Sequence, residues 1–291
     1  MTINNNNQQN NNRFPTVRGV VRRGVSIPAL KTYIYGQGAS RRVVNMVWNS
    51  FWAENKKELD KTARRFMAID SNSNSTLTIT NFPISSASSS ANNETYVSTS
   101  LHPKDPSMGK RPMKLSSKVL LEKIDADDCV VGENIVLLRW GVVKITKKDE
   151  NEDGSNSKLE GELIPDGDFK STKRKYSWIA AADGATAAED VSDYCPAILT
   201  EFDHLVTKEK LEDGDKFEDY VNPNTIATTK VIADINLKTL KVGDVIQLER
   251  RGFYRVDQPY RGSGDKPIVL YMIPDGKTKS MSGMSGKLQH H

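Results

Sequence analysis

Cysteine is almost absent from this 291-residue chain: Cys129 and Cys195 are the only two. They lie far apart, at no metal-binding spacing, and suit a reduced compartment such as the cytoplasm. Histidine is nearly as scarce, with His102, His204, His290 and His291, the last two reading as a terminal appendage. No pair stands at ligand spacing beside a cysteine or carboxylate, so no metal centre is expected. His204, within Glu201-Phe-Asp-His-Leu, reads as a structural histidine near a strand end. There is no Gly-rich phosphate loop and no Gly-x-Ser-x-Gly elbow, and no catalytic residue stands out. No apolar run approaches the ~20 residues of a membrane span. The N-terminal Asn/Gln tract lacks the apolar segment of a signal peptide, and the expectation is a cytoplasmic protein with no membrane partner.

What is present is positive charge, unevenly placed. The whole chain carries a formal +4. Between Arg13 and Arg65, however, twelve lysines and arginines, Arg18, Arg22, Arg23, Arg41 and Arg42 among them, face three acids, Glu54, Glu58 and Asp60. Charge separated in this way is the footprint of a phosphate-backbone contact, whereas a merely soluble helical face mixes both signs.

The length admits two or three hydrophobic cores. Asn4 to Asn12 is low-complexity and reads as disordered. From Arg13 to Arg65 the pattern is helical. Ser26 is an N-cap candidate, Ile27, Leu30, Tyr33 and Ile34 follow at helical spacing, and Gly36 and Gly38 stop the run. A second apolar stripe, Val43, Val44, Val47, Trp48, Phe51 and Trp52, reads as core. After Asp70 the period changes to that of strands: Thr76-Leu-Thr-Ile-Thr, Val119-Leu-Leu-Glu, and Asn134 to Ile145. Then come a turn at Asn151 to Ser157, the basic Lys173-Arg-Lys-Tyr-Ser-Trp-Ile, and Ile268 to Ile273. Many short strands with frequent turns predict β-barrels or sandwiches.

One segment concentrates polar function among apolar residues. Gly243 to Pro259 reads as two strands meeting at Arg251-Gly252, with Val245, Ile246 and Leu248 before the turn and Phe253, Tyr254 and Val256 after it. Gln247, Glu249, Arg250, Arg251 and Arg255 share this stretch. A guanidinium fork and a primary amide beside aromatics suit the reading of splayed bases and phosphates. The solvated outer face of an ordinary hairpin is the alternative.

Several stretches carry a family resemblance. Arg13-Phe-Pro-Thr-Val-Arg-Gly-Val-Val-Arg-Arg-Gly closely resembles the helical subdomain of eukaryotic-type (cytosolic) glutamyl-tRNA synthetase. His102-Pro-Lys-Asp-Pro, Phe202-Asp-His-Leu-Val-Thr-Lys, Val221-Asn-Pro-Asn, Gly243 to Tyr254 and Ile273-Pro-Asp-Gly-Lys-Thr-Lys resemble later stretches of the same aminoacyl-tRNA synthetase. The match is collinear from about Arg13 to Met281. That family's catalytic Rossmann domain and its ATP motifs have no counterpart here.

The resemblance implies an α+β fold: an N-terminal helical subdomain followed by two mainly antiparallel β-barrels that grip an anticodon. Residues 1–12 would be a disordered tail and 13–63 the helical subdomain. Residues 64–121 and 208–277 would form the proximal barrel, 122–207 the distal barrel, and 278–291 a flexible basic tail. In the related glutaminyl enzyme a Gln and an Arg matching Gln247 and Arg250, with an Arg matching Arg65, read the middle anticodon uracil. An amide offers a donor and an acceptor to uracil's neighbouring N3–H and O4 groups. Gln247 and Arg250 are three apart, which on a straight strand sends them to opposite faces. Either Arg250 takes a phosphate or a bulge near Gly252 turns it.

Asp128 stands where the glutaminyl relative has an Arg for its third anticodon base. Glutamate anticodons end in cytosine, whose amino group a carboxylate can accept. A solvated loop acid beside Asp125 and Asp127 is the plainer reading. Arg139 matches a basic anticodon-contacting position, whereas a second basic position nearby is Leu137. Arg18, Arg22, Arg23, Arg41 and Arg42 would hold the tRNA backbone. The expected partner is tRNA(Glu), with a separate catalytic domain or a multi-synthetase scaffold. ATP and Mg2+ would belong to the catalytic domain, leaving no cofactor for this chain. A free-standing RNA- or protein-binding β-barrel module is the alternative of a different class.

Overall fold

A computed structural model describes residues 16–39, 48–82, 95–149, 157–181, 193–208, 211–262 and 266–277. The tract at 1–12, Arg41, Arg42, Val43, Val44, Val47, most of the turn at 151–157 and the 278–291 tail lie outside the described residues.

Among the described residues three helices come first: α1 (Val17–Arg22), α2 (Ile27–Gly36) and α3 (Trp48–Thr62). Ser26 caps α2 as its sequence predicts, its hydroxyl accepting from Ala29 N at 3.1 Å. The apolar run of α2 does not become core: Ala29 is its one buried residue, while Ile27, Leu30 and Ile34 are exposed. Helical spacing shows that residues share a face, but not what that face meets. Trp52 and Phe51 of α3 are buried as expected, whereas Trp48, expected in the same core stripe, is exposed at the start of the helix; Tyr33 meets Phe51 edge-on at 5.3 Å. Asn55 of α3, fully buried, clamps the α1–α2 turn by donating to Gly24 O at 3.1 Å and accepting from Ser26 N at 2.8 Å.

Among the described residues the remainder is built of sixteen strands, a short α-helix and three 3-10 helices. They begin with β1 (Arg64–Phe66), β2 (Ala68–Asp70), β3 (Asn74–Ile79), β4 (Thr95–Ser100), β5 (Lys110–Leu115) and β6 (Lys118–Glu122). Helix α4 (Lys123–Asp127) leads to β7 (Asn134–Leu137), β8 (Gly141–Asp149), β9 (Lys158–Ile164), β10 (Lys175–Tyr176) and β11 (Trp178–Ala180). The last are β12 (Tyr194–Phe202), β13 (Ile226–Asp234), β14 (Val245–Leu248), β15 (Gly252–Gln258) and β16 (Ile268–Ile273).

Two seven-stranded sheets result, in the orders β1-β14-β15-β16-β12-β13-β2 and β10-β7-β8-β9-β3-β6-β11, with β4 and β5 forming a separate hairpin. In each large sheet the two edge strands are consecutive in the chain, across Met67 in one and Ser177 in the other. The backbone thus passes from one edge to the other within a single residue, which curls both sheets into nearly closed barrels. Most pairings are antiparallel; β1–β14, β12–β16, β7–β10 and β3–β9 are parallel. This is the α+β, two-barrel architecture that the resemblance implies.

Strand membership differs from the expected boundaries. β3 and β6, expected in the proximal barrel, belong to the second sheet, and β12, expected in the distal barrel, belongs to the first. Alternation along a strand identifies its buried face, but not the strand across the ladder. The first barrel encloses Phe66, Leu199, Ile246, Leu248, Tyr254 and Leu270. The second encloses Leu77, Leu121, Ile135, Ile145, Tyr176 and Trp178. A third cluster joins α3 to the outer face of the first barrel through Phe51, Trp52, Leu59, Phe253 and Ile273.

Candidate nucleic-acid interface

β14 and β15 pair antiparallel, with Gln247 opposite Phe253 and Leu248 opposite Gly252. The connection is Glu249-Arg250-Arg251, with Arg250 in the left-handed region at φ 66 and Gly252 at φ 116. β14 therefore ends before Arg250, and the three-residue loop rather than a straight strand aims the guanidinium.

Each residue of this loop grips the second barrel. Glu249 takes Arg139 Nη2 at 2.8 Å and Nε at 3.1 Å. Arg250 donates Nη2 to Asp125 Oδ1 at 2.7 Å and Nη1 to the other oxygen, and lies 5.3 Å over the Tyr176 ring. Arg251 bonds Glu122, whose carboxyl burial raises above its ordinary range and the Arg251 charge pulls back down. Asp125 is completely shielded from solvent.

Beside the loop lies an open cleft of about 220 Å³ lined by Arg65, Asp128, Leu138, Lys173, Arg174, Lys175, Tyr176, Gln247, Glu249 and Arg250. Four of the five residues expected to meet the anticodon, Arg65, Asp128, Gln247 and Arg250, thus line one cleft between the barrels. Arg65 and Gln247 are register partners in the parallel β1–β14 pair, so their side chains leave the sheet on the same face. Asp60 holds Arg65 through Nη2 at 2.9 Å. Arg65 Nε and Gln247 Oε1 are both buried without a hydrogen-bond partner. Each such orphan costs about 1–3 kcal/mol, and two on adjacent residues of one cleft mark a place where a ligand would supply partners.

The other expected residues are placed differently. Arg139 does not line the cleft: Glu249 and the carbonyl of Ser100 take its donors, and it bridges the barrels. Arg22 is a packing group. Its Nε and Nη2 lie 2.5 and 2.8 Å from the two oxygens of Asp257, and the guanidinium covers the Tyr271 ring. Arg23 lies 5.6 Å over Trp52, and burial holds its pKa below the ordinary arginine value. Arg18 is exposed. Thus Arg22, ending α1, and Arg23, capping it, turn onto the first barrel and α3, where aromatic faces and a buried carboxylate offer them partners.

Asp128, largely exposed, closes the end of α4 and pairs with Arg174. Lys173, Arg174 and Lys175 are cleft residues that the sequence offered only as a basic strand; their clustering beside Tyr176 was the available signal. His204 stands exposed just past β12. His102 is buried, its Nε2 within 2.8 Å of Asp60 O and its Nδ1 accepting from Lys104 N at 3.2 Å, beneath the residue that orients Arg65. Among the described residues no helix is long and apolar enough to cross a membrane.

Comparison with known proteins agrees with this geometry. Two family profiles, each described as the anticodon-binding domain of class I tRNA synthetases (E and Q), match residues 63–164 and 177–257. The cytoplasmic glutamate--tRNA ligase of Saccharomyces cerevisiae is 41% identical over 273 residues, covering 93% of this chain and 35% of that protein. The probable cytoplasmic glutamate--tRNA ligase of Schizosaccharomyces pombe is 39% identical over 272 residues, covering 94% of this chain and 35% of that protein. The mouse bifunctional glutamate/proline--tRNA ligase is 37% identical over 281 residues, 94% of this chain and 17% of its own length. The chain spans about a third of the length of the two yeast relatives. Two barrels joined by an ion-paired loop, with a basic, amide-lined cleft between them, fit the family its sequence matches: the chain belongs to the anticodon-binding domains of the class I glutamyl- and glutaminyl-tRNA synthetases.

Proposed function

We propose that this chain is the anticodon-reading part of a cytoplasmic glutamyl-tRNA synthetase, binding tRNA(Glu) and holding its middle uracil in the cleft beside Gln247 and Arg65. The observation that carries this reading is the pair of orphaned atoms, Gln247 Oε1 and Arg65 Nε, on register-matched residues of one cleft. The uracil N3–H donates to an amide oxygen, while O4 accepts from the amide nitrogen or the guanidinium. Asp60 orients Arg65, so its rotamer is fixed before the base arrives. Arg250, with both Nη atoms on Asp125, makes a fixed part of the wall, and Lys173 and Lys175 attract the phosphates.

Glutamate activation with ATP and Mg2+ is assigned to a catalytic domain, joined directly or through a multi-synthetase scaffold. The test is a gel shift comparing tRNA(Glu) with a variant whose middle uracil is cytosine. The wild-type chain should favour the uracil form, and Gln247→Ala should lose roughly 1–3 kcal/mol of that preference. Equal binding of both tRNAs by the wild-type chain would overturn the proposal and leave a free-standing barrel module.

A further inference from the structure

Arg255 shares the polar run of the β14–β15 hairpin but not the cleft beside it. It stands on β15 opposite Val245 of β14 and Tyr271 of β16. Phe253, two residues before it, and Asp257, two after, leave the same outer face of the first barrel. Helix α3 covers Phe253, and Arg22 at the end of α1 reaches Asp257. Between them Arg255 is half-buried. Its guanidinium rests on the turn before β14, where a Cβ added to Gly243, at φ 91, would stand 3.2 Å from Nη2. Arg255 makes no hydrogen bond or ion pair with any described residue. The carboxylate that acts on it, Asp257, is 5% exposed and already accepts from Arg22 through both oxygens and from the Tyr271 hydroxyl. Burial lowers the Arg255 pKa from the ordinary arginine value, Asp257 partly restores it, and the Arg22 charge lowers it again.

We infer that Arg255 is a phosphate-binding group on the outer face of the first barrel, and that a backbone phosphodiester of the bound tRNA supplies the acceptor it lacks. This rests on the reading of the chain as a tRNA binder and lies outside the anticodon cleft. A guanidinium taken partly out of water with no acceptor, beside a second guanidinium, is held at a cost. A phosphate relieves both parts of that cost: its oxygens take the N–H donors, and its charge offsets two neighbouring arginines. Arg22 is 35% exposed, so its charge reaches the surface there, and Arg18, one turn earlier on the same face of α1, extends the positive field. Asp244, next to Gly243, is no substitute, because it already accepts from Arg64 Nη2 at 2.8 Å and Lys241 N at 3.0 Å. A backbone phosphate carries no base identity, so this contact adds affinity without discrimination.

The experiment titrates the full chain with tRNA(Glu) over a range of KCl concentrations. Arg255→Gln should flatten the plot of log K against log salt by about one unit of slope. At low salt it should weaken the middle-uracil and middle-cytosine tRNAs by the same factor, roughly three- to tenfold. Arg255→Lys keeps the charge and should keep the slope. Because the native charge is held at a cost, Arg255→Gln should melt no lower than wild type, whereas loss of a structural arginine would lower the melting temperature. Inorganic phosphate at about 10 mM, matched in ionic strength with KCl, should leave the melting temperature of the wild-type chain unchanged. An unchanged slope or a lowered melting temperature in Arg255→Gln overturns the inference. So does a stabilisation by inorganic phosphate that Arg255→Gln abolishes, which would mark a free-phosphate site; each of these leaves the anticodon reading standing. A wild-type chain that binds no tRNA removes the reading and the inference together.

Discussion

Removing the Asp125 carboxylate is the sharpest perturbation of the joint between the barrels. Asp125→Ala deletes both acceptors of Arg250, a guanidinium only 6% exposed, without opening a path to water. Two charge-assisted hydrogen bonds at about 1.5–3 kcal/mol each set a range of roughly 3–6 kcal/mol. Breaking one side of a buried pair costs about 3–5 kcal/mol by itself. Stacking on Tyr176, 5.3 Å away, survives and offsets a fraction of this, which leaves an expected loss of about 3 kcal/mol. The exposed pair Lys57–Glu54, with side chains 70% and 26% accessible, is the control; Lys57→Met should cost no more than about 0.5 kcal/mol. Replacing both buried partners, Asp125→Leu with Arg250→Met, removes the stranded charge and should return stability to within about 1 kcal/mol of wild type. Urea unfolding followed by tryptophan fluorescence reads all four proteins, Trp140 and Trp178 reporting on the second barrel. A loss under about 1 kcal/mol in Asp125→Ala, or a double variant as unstable as the single, would refute the reasoning.

Arg22→Ala leaves Asp257, 5% exposed, with the Tyr271 hydroxyl but no guanidinium, and should lower stability by about 1–2 kcal/mol while leaving the salt dependence of tRNA binding unchanged; exposed Arg18→Ala should do the reverse, reducing the slope by about one if it meets a phosphate. Both are read by denaturation and by binding titrations over a range of salt. Gly276, at φ 76, allows α3 to pass so closely that an added Cβ would collide with Asn49 O and come within 2.8 Å of Ala53 N. Gly276→Ala should cost about 3 kcal/mol, or roughly 6–12 °C in a thermal melt. Burial pushes the Cys129 and Cys195 thiols up from 9.0 to about 12. Well below pH 9 they are neutral in folded and unfolded chains alike. Above it the unfolded chain ionises first, so their contribution to stability is lost as pH rises through that window. At pH 8.5 iodoacetamide should label neither in the folded protein and both in urea; rapid labelling of the folded protein would contradict the burial.

The hairpin at Gly243–Pro259 was legible because its β-branched and aromatic residues flank a glycine within a few positions, and that local chemistry decides the turn. The cleft was legible in part: Gln247, Arg65 and Asp128 were named from a resemblance, but Arg174 was not, since a basic strand gives no sign of the wall it will form. Arg250 stood among the expected readers, yet its tie to Asp125 spans 125 positions and no local pattern encodes it. The same limit displaced β3, β6 and β12 between barrels. Arg22 and Arg23 were counted as free charge because composition records sign and number, whereas Asp257 and Trp52 decide which way they turn.

The seam that closes the first barrel has a temporal consequence. Arg64 pairs with Ile246 and Ala68 with Ala233, so β1 and β2 wait for partners about 165–180 codons downstream. At about 5–20 residues per second, a ribosome takes on the order of 10–40 s to deliver them. During that interval Phe66 and its neighbours have no barrel to enter, and the second sheet, itself holding β3, is the part of the nascent chain able to fold first.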